Sequence, residues 1–172
     1  MTPTTIRPAR PDELDAVGAL TVEVYRAGQL APEEYSVSLA DARGRARHTE
    51  ILVAVDGQGR LMGAVALVLN GGPYAELAES EDEAEFRMLA VSARSRGQGV
   101  GTALVEECLV RAREAGKRRM VISTGDNMHA AHRRYEALGF VRTPERDWSP
   151  LPGVTLLGYA LELAASAGTQ RR

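Results

Sequence analysis

A glycine-rich turn with two arginines connects an apolar run to a helical pattern in the middle of the chain. Residues 89–102 read LAVSARSRGQGVGT. Glycines at alternate positions let the backbone approach an anion, and the first N–H groups of a helix have no intrahelical partner. Arg94 and Arg96 add full positive charges. Residues 92–102, called the glycine loop below, therefore fit a phosphate-binding turn, although glycine also marks any tight strand-to-helix turn.

Two familiar nucleotide-binding motifs do not fit the glycine loop. A dinucleotide-binding fingerprint places G-x-G-x-x-G directly after the strand, whereas residues 92–96 intervene here and position 102 is threonine. A P-loop requires lysine followed by serine or threonine after its last glycine, and no lysine stands there. A phosphate at this loop would need a different arrangement.

A second run of chemically capable residues covers positions 127–140 and reads NMHAAHRRYEALGF. The phenol of Tyr135, with an ordinary pKa near 10, keeps its proton at neutral pH and is able to donate it. The alternative is a tyrosine that packs a helix face against the core. His129, His132 and Glu136 make a poor metal site without further ligands, so no metal is expected.

An acidic segment precedes the apolar residues at 89–91. No basic residue lies between Arg60 and Arg87. A negative rim would concentrate a cationic amine, but a run of charges is more often a solvated loop, and both interpretations stay open. Regular strand alternation would place Glu85 on the same side as Leu89 and Val91. The acids of this segment are Glu76, Glu79, Glu81, Asp82, Glu83 and Glu85.

The two runs together resemble the GNAT superfamily of N-acetyltransferases. Residues 96–101, RGQGVG, match the Q/R-x-x-G-x-G/A signature of that family, and residues 127–140 are similar to its second motif, which ends in Tyr-Glu-x-Leu-Gly-Phe. The motifs occur in the family's order, one strand apart. The order of predicted elements from residue 4 to residue 163 is also similar to the family fold.

The resemblance implies acetyl-CoA as co-substrate and no metal. It places acetyl-CoA in a gap between the strand ending at Val91 and the strand at 120–123, with backbone groups of Leu89 and Val91 pairing with the pantetheine arm. Backbone N–H groups of the glycine loop, with Arg96, would hold the pyrophosphate, and Asn127 would contact the pantetheine arm. The implied binding residues are Leu89, Ala90, Val91, Arg96, Gly97, Gln98, Gly99, Gly101, Thr102 and Asn127.

The resemblance also implies direct attack of an amine on the thioester. The amine must be neutral, and at an ordinary pKa near 10.4 only about one in a thousand is neutral at pH 7.4. Tyr135 matches the family's usual proton donor to the leaving thiolate. Glu85 is the candidate general base, acting directly or through water, and its alternative is a solvated strand end.

Hydrophobic periodicity predicts the elements that position these residues. The expected fold is α/β of the α+β type, with a mixed, mostly antiparallel, seven-stranded sheet and helices on both faces, in the order β-α-α-β-β-β-α-β-α-β-β. Predicted helices begin at Pro11 and cover 32–46, 99–115 and 127–138. Predicted strands lie at 4–7, 51–55, 61–69, a run ending at 91, 120–122, a run starting at 140, and 154–163.

Composition bounds the remaining possibilities. The chain has 172 residues with 21 basic and 23 acidic side chains, a net charge of −2, which gives no general attraction to nucleic acid. The longest apolar run, 64–69, is too short to cross a membrane. Cys108 falls on the apolar stripe of a helix and is expected in the core. We expect one domain over 1–163, a flexible tail at 164–172, and a cytoplasmic, bacterial protein.

The expected function is acetyl transfer from acetyl-CoA to a primary amine of a small molecule. A protein or peptide amine is the alternative within the class. Two further alternatives lie outside this class: a non-catalytic acyl-CoA-binding module and a toxin that acetylates aminoacyl-tRNA. The net charge disfavours the last, although arginines 43, 45 and 47 cluster together. No nucleic-acid or membrane partner is expected, and dimerisation, common in the family, makes a homodimer an expectation.

Overall fold

Eight strands and five α-helices form in residues 3–164, the part of the chain that the computed structural model describes. The helices are α1 (Leu14–Ala27), α2 (Ser36–Ala40), α3 (Ala42–Ala46), α4 (Val100–Glu114) and α5 (His129–Ala137). The strands are β1 (Thr5–Pro8), β2 (Glu50–Val55), β3 (Leu61–Val68), β4 (Glu83–Val91), β5 (Arg119–Gly125), β6 (Val141–Arg142), β7 (Trp148–Leu151) and β8 (Val154–Glu162).

These residues divide into two compact units. The first unit comprises 3–67 and 87–107, and the second comprises 68–86 and 108–164. Strand β4 contributes its first four residues to the second unit and the rest to the first. Except for residue 164, the predicted tail lies outside the described residues, and the extent of the domain stays a prediction.

An antiparallel β-hairpin lies at the centre of the first unit. β2 pairs with β1 on one side and with β3 on the other, both antiparallel. The turn forms as predicted because Asp56 accepts the N–H groups of Gln58 and Arg60 at 2.9 Å and because Gly59 adopts a φ of +79°. Core residues of β2 and β3 such as Val53 and Ala64 are almost fully buried.

The helical region after α1 departs from the prediction of one continuous helix over 32–46. A short 3-10 helix, Glu33–Tyr35, leads into α2, and Asp41, with a ψ of 66°, separates α2 from α3. The Asp41 carboxylate accepts the N–H of Gly44 at 2.9 Å and so caps the new helix. The prediction of one continuous helix was therefore wrong, because the side-chain cap at Asp41 outweighs helix propagation at this position.

The second unit contains the mixed part of the sheet. β4 and β5 are parallel, with Glu83–Glu85 opposite Arg119–Val121. β8 pairs antiparallel with β5, and also with β6 and β7. The mixed, mostly antiparallel sheet is confirmed, but the described residues form eight strands rather than seven. The additional strand β7 contains Pro150 and lacks the alternating apolar pattern by which strands are recognised.

Two further features concern the interior and the membrane. Cys108 is fully buried in α4, as predicted. Within residues 3–164, no helix combines the length and the apolar composition that a membrane span requires.

Candidate active site

The glycine loop lies in the first unit and begins α4. A 3-10 turn, Ala93–Ser95, is fixed by a hydrogen bond of 2.8 Å between the buried hydroxyls of Ser92 and Ser95. Gly97 and Gly99 then adopt φ angles of +78° and +79°, in the left-handed region that favours glycine. Such alternation of backbone conformation turns successive N–H groups toward one side, where they can bind an anion.

The space beside the loop is open. A Cβ atom added to Gly97 or Gly99 would meet no atom within 4 Å. Arg94 and Arg96 are exposed, and the side chain of Gln98 donates to the carbonyl of Arg94 at 3.1 Å. Gly101 is buried and Thr102 half-buried in the first turn of α4. These residues therefore fit a bound pyrophosphate, with positive charge, unobstructed backbone and a helix N-terminus.

Strand β4 leads into this loop through an unusual backbone conformation. Met88 is buried and has a φ of +56°, which is uncommon for a residue with a long side chain. Leu89 and Val91 are half-buried, and Ala90 is buried. The left-handed residue interrupts the regular alternation that sequence analysis assumed from Glu85 to Val91.

Tyr135 lies in an aromatic cluster of the second unit. Its side chain is 5% exposed and packs against the rings of Phe86, Phe140 and Tyr159 at centroid distances of 5.8, 5.7 and 6.3 Å. Burial raises the pKa of Tyr135 to about 12, despite an opposing effect from Arg134. The phenol is therefore protonated across the physiological pH range.

Glu85 is fully buried in β4, so the solvated strand end considered from sequence is excluded. Its Oε1 atom accepts backbone N–H groups from Glu76, Leu77 and Ala78 at 2.9, 2.9 and 3.1 Å. Its Oε2 atom is buried and has no hydrogen-bond partner within the described part of the chain. Burial raises the pKa of this carboxyl, the three N–H groups oppose the rise, and the charge of Glu76 adds to it.

Glu83, two residues earlier, is the centre of a buried ion network that the sequence did not reveal. Arg146 donates to both of its carboxylate oxygens, at 3.0 and 2.7 Å, and Arg119 donates at 2.9 Å. Burial opposes the charge of Glu83, but the arginines and the Glu79 N–H outweigh it and lower its pKa to about 2. Arg146 stands 63 positions away in the chain, so no local pattern could have linked the two residues.

The second motif begins in the turn between β5 and α5 and continues through α5. Asn127 is exposed in this turn, which is closed by the N–H of Met128 donating to the carbonyl of Gly125 at 3.0 Å. The same carbonyl lies 2.9 Å from Nε2 of His132, whose ring packs against Tyr159. Among residues 3–164, no group of three or more histidine, cysteine, aspartate or glutamate side chains is placed to hold a metal ion.

Comparison with known proteins identifies the family. The model of the acetyltransferase (GNAT) family matches residues 16–140, which include both motifs. The chain belongs to the GNAT family of acetyltransferases.

Among curated proteins, this GNAT chain is similar to an uncharacterized N-acetyltransferase of Schizosaccharomyces pombe. The two are 33% identical over 110 residues, which cover 64% of this chain and 63% of the relative. This chain is also 33% identical to N-acetylaspartate synthetase of Danio rerio over 98 residues, which cover 57% of this chain and 32% of that relative. The match thus spans less than two thirds of the length of either relative.

Solved structures agree on the fold. An acetyltransferase of Salmonella typhimurium, solved with its cofactor acetyl-CoA, has a TM-score of 0.71 at 20% identity and covers 96% of both chains. A GCN5-related N-acetyltransferase of Kribbella flavida has a TM-score of 0.69 at 25% identity, over 93% of this chain and 98% of that one. The GNAT fold expected from the sequence is therefore confirmed.

Proposed function

We propose that this GNAT protein transfers the acetyl group of acetyl-CoA to a primary amine of a small molecule. The observation that carries the proposal is the packing of Tyr135, a phenol of the family's second motif that holds its proton at neutral pH, among aromatic rings. A departing thiolate, whose thiol has an ordinary pKa near 8.5, is stabilised when it takes up such a proton.

The residues of the glycine loop fit acetyl-CoA. Backbone N–H groups of Gln98, Gly99, Gly101 and Thr102 would hold the pyrophosphate, and exposed Arg96 would neutralise part of its charge. The half-buried backbone of Leu89 and Val91, on either side of Ala90, would bind the pantetheine arm with Asn127. When bound, acetyl-CoA supplies the thioester that carries the acetyl group.

Proton transfer is then divided between two side chains. The hydroxyl of Tyr135 gives its proton to the departing sulfur. Glu85 takes the proton of the attacking amine on Oε2, directly or through one water molecule, so that an N–H bond breaks and an O–H bond forms. Only Oε2 is available for this purpose, since Oε1 already accepts three N–H groups. A pKa raised by burial makes this carboxylate a stronger base than an exposed one.

The name of one relative supports a small acceptor, and the charge of the acidic segment supports an acceptor that is cationic. The Danio rerio relative is named for the synthesis of N-acetylaspartate, a small molecule. In this chain four acids of the acidic segment are exposed, and their charge would attract ammonium groups. The four exposed residues are Glu76, Glu79, Glu81 and Asp82.

The test is a binding titration with acetyl-CoA followed by thiol release with a panel of amines. The panel contains polyamines, aminoglycosides, free amino acids including aspartate, and basic peptides. We expect acetyl-CoA to bind and one small-molecule class to be turned over. Turnover of peptides alone would move the acceptor to protein amines, and binding without any turnover would contradict the proposed enzyme activity.

A further inference from the structure

Four consecutive backbone N–H groups, those of residues 76–79, donate to two carboxylates of strand β4. The first three converge on Oε1 of Glu85. The fourth, from Glu79, donates to Oε1 of Glu83 at 2.9 Å. Residues 76–79, called the clamp loop below, are thus attached to β4 at every backbone donor. This is more than a surface loop needs in order to fold, because water could satisfy exposed N–H groups equally well.

Arg146 attaches the clamp loop a second time. Besides its two bonds to Glu83, its guanidinium donates to the carbonyl of Leu77 at 2.9 Å. The side chains of Arg146 and Glu83 are 16% and 4% exposed, so the pair is shielded from solvent and from salt. Arg119 adds a further bond to Glu83 while also pairing with exposed Glu162. The loop is therefore held at its N–H groups by β4 and at a carbonyl by Arg146.

The consequence for Glu85 is an asymmetric carboxylate. Three donors occupy Oε1, whereas Oε2 is buried and has no partner among residues 3–164. A buried oxygen without a hydrogen bond is costly, and native structures keep such groups mainly where they have a role. The clamp loop therefore occupies Oε1 and leaves Oε2 as the oxygen that can react.

We propose that Glu83 and Arg146 are positioning residues for Glu85, holding the clamp loop so that Oε1 is occupied and Oε2 alone receives the proton of the acceptor amine. This inference rests on the proposed function, in which Glu85 is the base. Neither positioning residue takes part in proton transfer itself. Their effect on the reaction passes through the clamp loop.

Loosening the clamp loop should change the basicity of Glu85 in a known direction. Burial raises the pKa of this carboxyl by more than the three N–H groups of the loop lower it, so entry of water, which weakens both effects, would return the pKa downward toward its ordinary value. The charged groups on the clamp loop and its attachments are Glu76 and Glu79 on the loop, Glu83 on β4, and Arg119 and Arg146, which both bind Glu83. Of these, Glu76 raises the pKa of Glu85. A loosened loop also lets water screen that charge, which acts in the same direction.

The experiment measures kcat against pH for one amine in the wild-type protein and in Arg146→Met, Arg146→Lys, Glu85→Gln and Glu162→Gln. Using one amine makes the substrate's own ionisation common to every profile. Arg146→Met should move the acid limb to lower pH and reduce the plateau of kcat roughly tenfold, because a weaker base accepts the proton less readily. Arg146→Lys keeps the charge but not the paired bonds, and should give a smaller shift in the same direction.

Glu162→Gln is the matched control, since it removes the exposed partner of Arg119 and leaves the bonds of Glu83 in place. Its profile should match the wild type. An acid limb that stays in place in both Arg146 variants, while Glu85→Gln abolishes turnover, overturns the inference and leaves the proposed function intact. Full activity of Glu85→Gln at every pH overturns the base assignment and the inference with it, although acetyl transfer itself would still be observed.

Amide hydrogen exchange provides a readout that does not depend on activity. Residues 76–78 should exchange slowly in the wild type and in Glu162→Gln, and at least tenfold faster in Arg146→Lys. Arg146→Lys retains a cation beside Glu83, which keeps this variant informative if Arg146→Met does not fold. Unchanged exchange in Arg146→Lys would show that Arg146 does not hold the clamp loop, and would overturn the inference.

Discussion

The phenol of Tyr135 is enclosed by other aromatic side chains. Three aromatic rings pack around the phenol, and burial raises its pKa to about 12. An exposed phenol would already be nearly all protonated at neutral pH, so the added effect of burial lies mainly in alkaline solution. Tyr135 should therefore stay protonated up to about pH 11, and any loss of activity at lower pH should have another cause.

Replacement of the phenol tests this role with little change in packing. Tyr135→Phe retains the ring and removes the hydroxyl, so kcat should fall about a hundredfold while KM for acetyl-CoA and the melting temperature change little. Steady-state thiol release and thermal unfolding measure the two effects. Tyr159→Phe, which removes a neighbouring hydroxyl that donates to Glu136, is the matched control and should retain kcat. Equal losses in both variants would contradict a specific role for Tyr135.

Glu83 makes the stability of the fold depend on pH. Its pKa is about 2 in the folded protein and near 4.5 in the unfolded chain. The resulting stabilisation is therefore fully present above about pH 4.5 and is lost as the pH falls toward 2. A shift of this size corresponds to about 3 kcal/mol. Glu83→Gln should flatten the dependence of the unfolding free energy between pH 5 and 2, as measured by urea denaturation, and an unchanged slope would contradict the ion network.

The glycine loop needs glycine for two reasons, its left-handed backbone conformation and its proposed binding of acetyl-CoA. Gly59 in the β2–β3 turn offers a comparison, because it has the same φ of +79° and equally open space around a hypothetical Cβ. Alanine at either position should cost about 1 kcal/mol of stability for the left-handed conformation. If the two variants then differ in their affinity for acetyl-CoA, the difference reflects a binding role of the glycine loop and not the cost of the left-handed conformation.

The expected result is a selective loss of affinity. Gly99→Ala should weaken acetyl-CoA binding about tenfold, because a methyl group and a shifted backbone disturb the N–H groups proposed to hold the pyrophosphate. Gly59→Ala should bind acetyl-CoA as the wild type does. Isothermal titration calorimetry on both variants checks this. Equal affinities would show that the backbone at Gly99 does not contribute to binding.

Most of the helices and strands could be predicted from the sequence, but the positions at which they are interrupted could not. Hydrophobic periodicity predicted α1, α4, α5 and the β2–β3 hairpin, since their apolar faces are buried against a core. It did not predict the break at Asp41, which depends on one carboxylate capping Gly44, or the left-handed Met88 within β4. Strand β7 was missed because it forms through pairing with β8, and its own residues carry no strand pattern.

Over the whole molecule, the two motifs predicted the family because each is compact in sequence. The environment of Glu85 was not predictable in this way. Its burial depends on the clamp loop, and that loop is held by Arg146, which is distant in the chain. The acidic segment accordingly divides into two classes. Glu83 and Glu85 are buried and bonded, and the other four acids are exposed, so neither interpretation made from sequence holds for the segment as a whole.

Mass spectrometry of the amine panel after incubation with acetyl-CoA is the decisive test of acetyl transfer to a small amine. We predict a singly acetylated small amine that appears in step with released thiol, and about a hundredfold less of it with Tyr135→Phe. A protein that binds acetyl-CoA but acetylates none of the small amines would contradict acetyl transfer to a small-molecule acceptor.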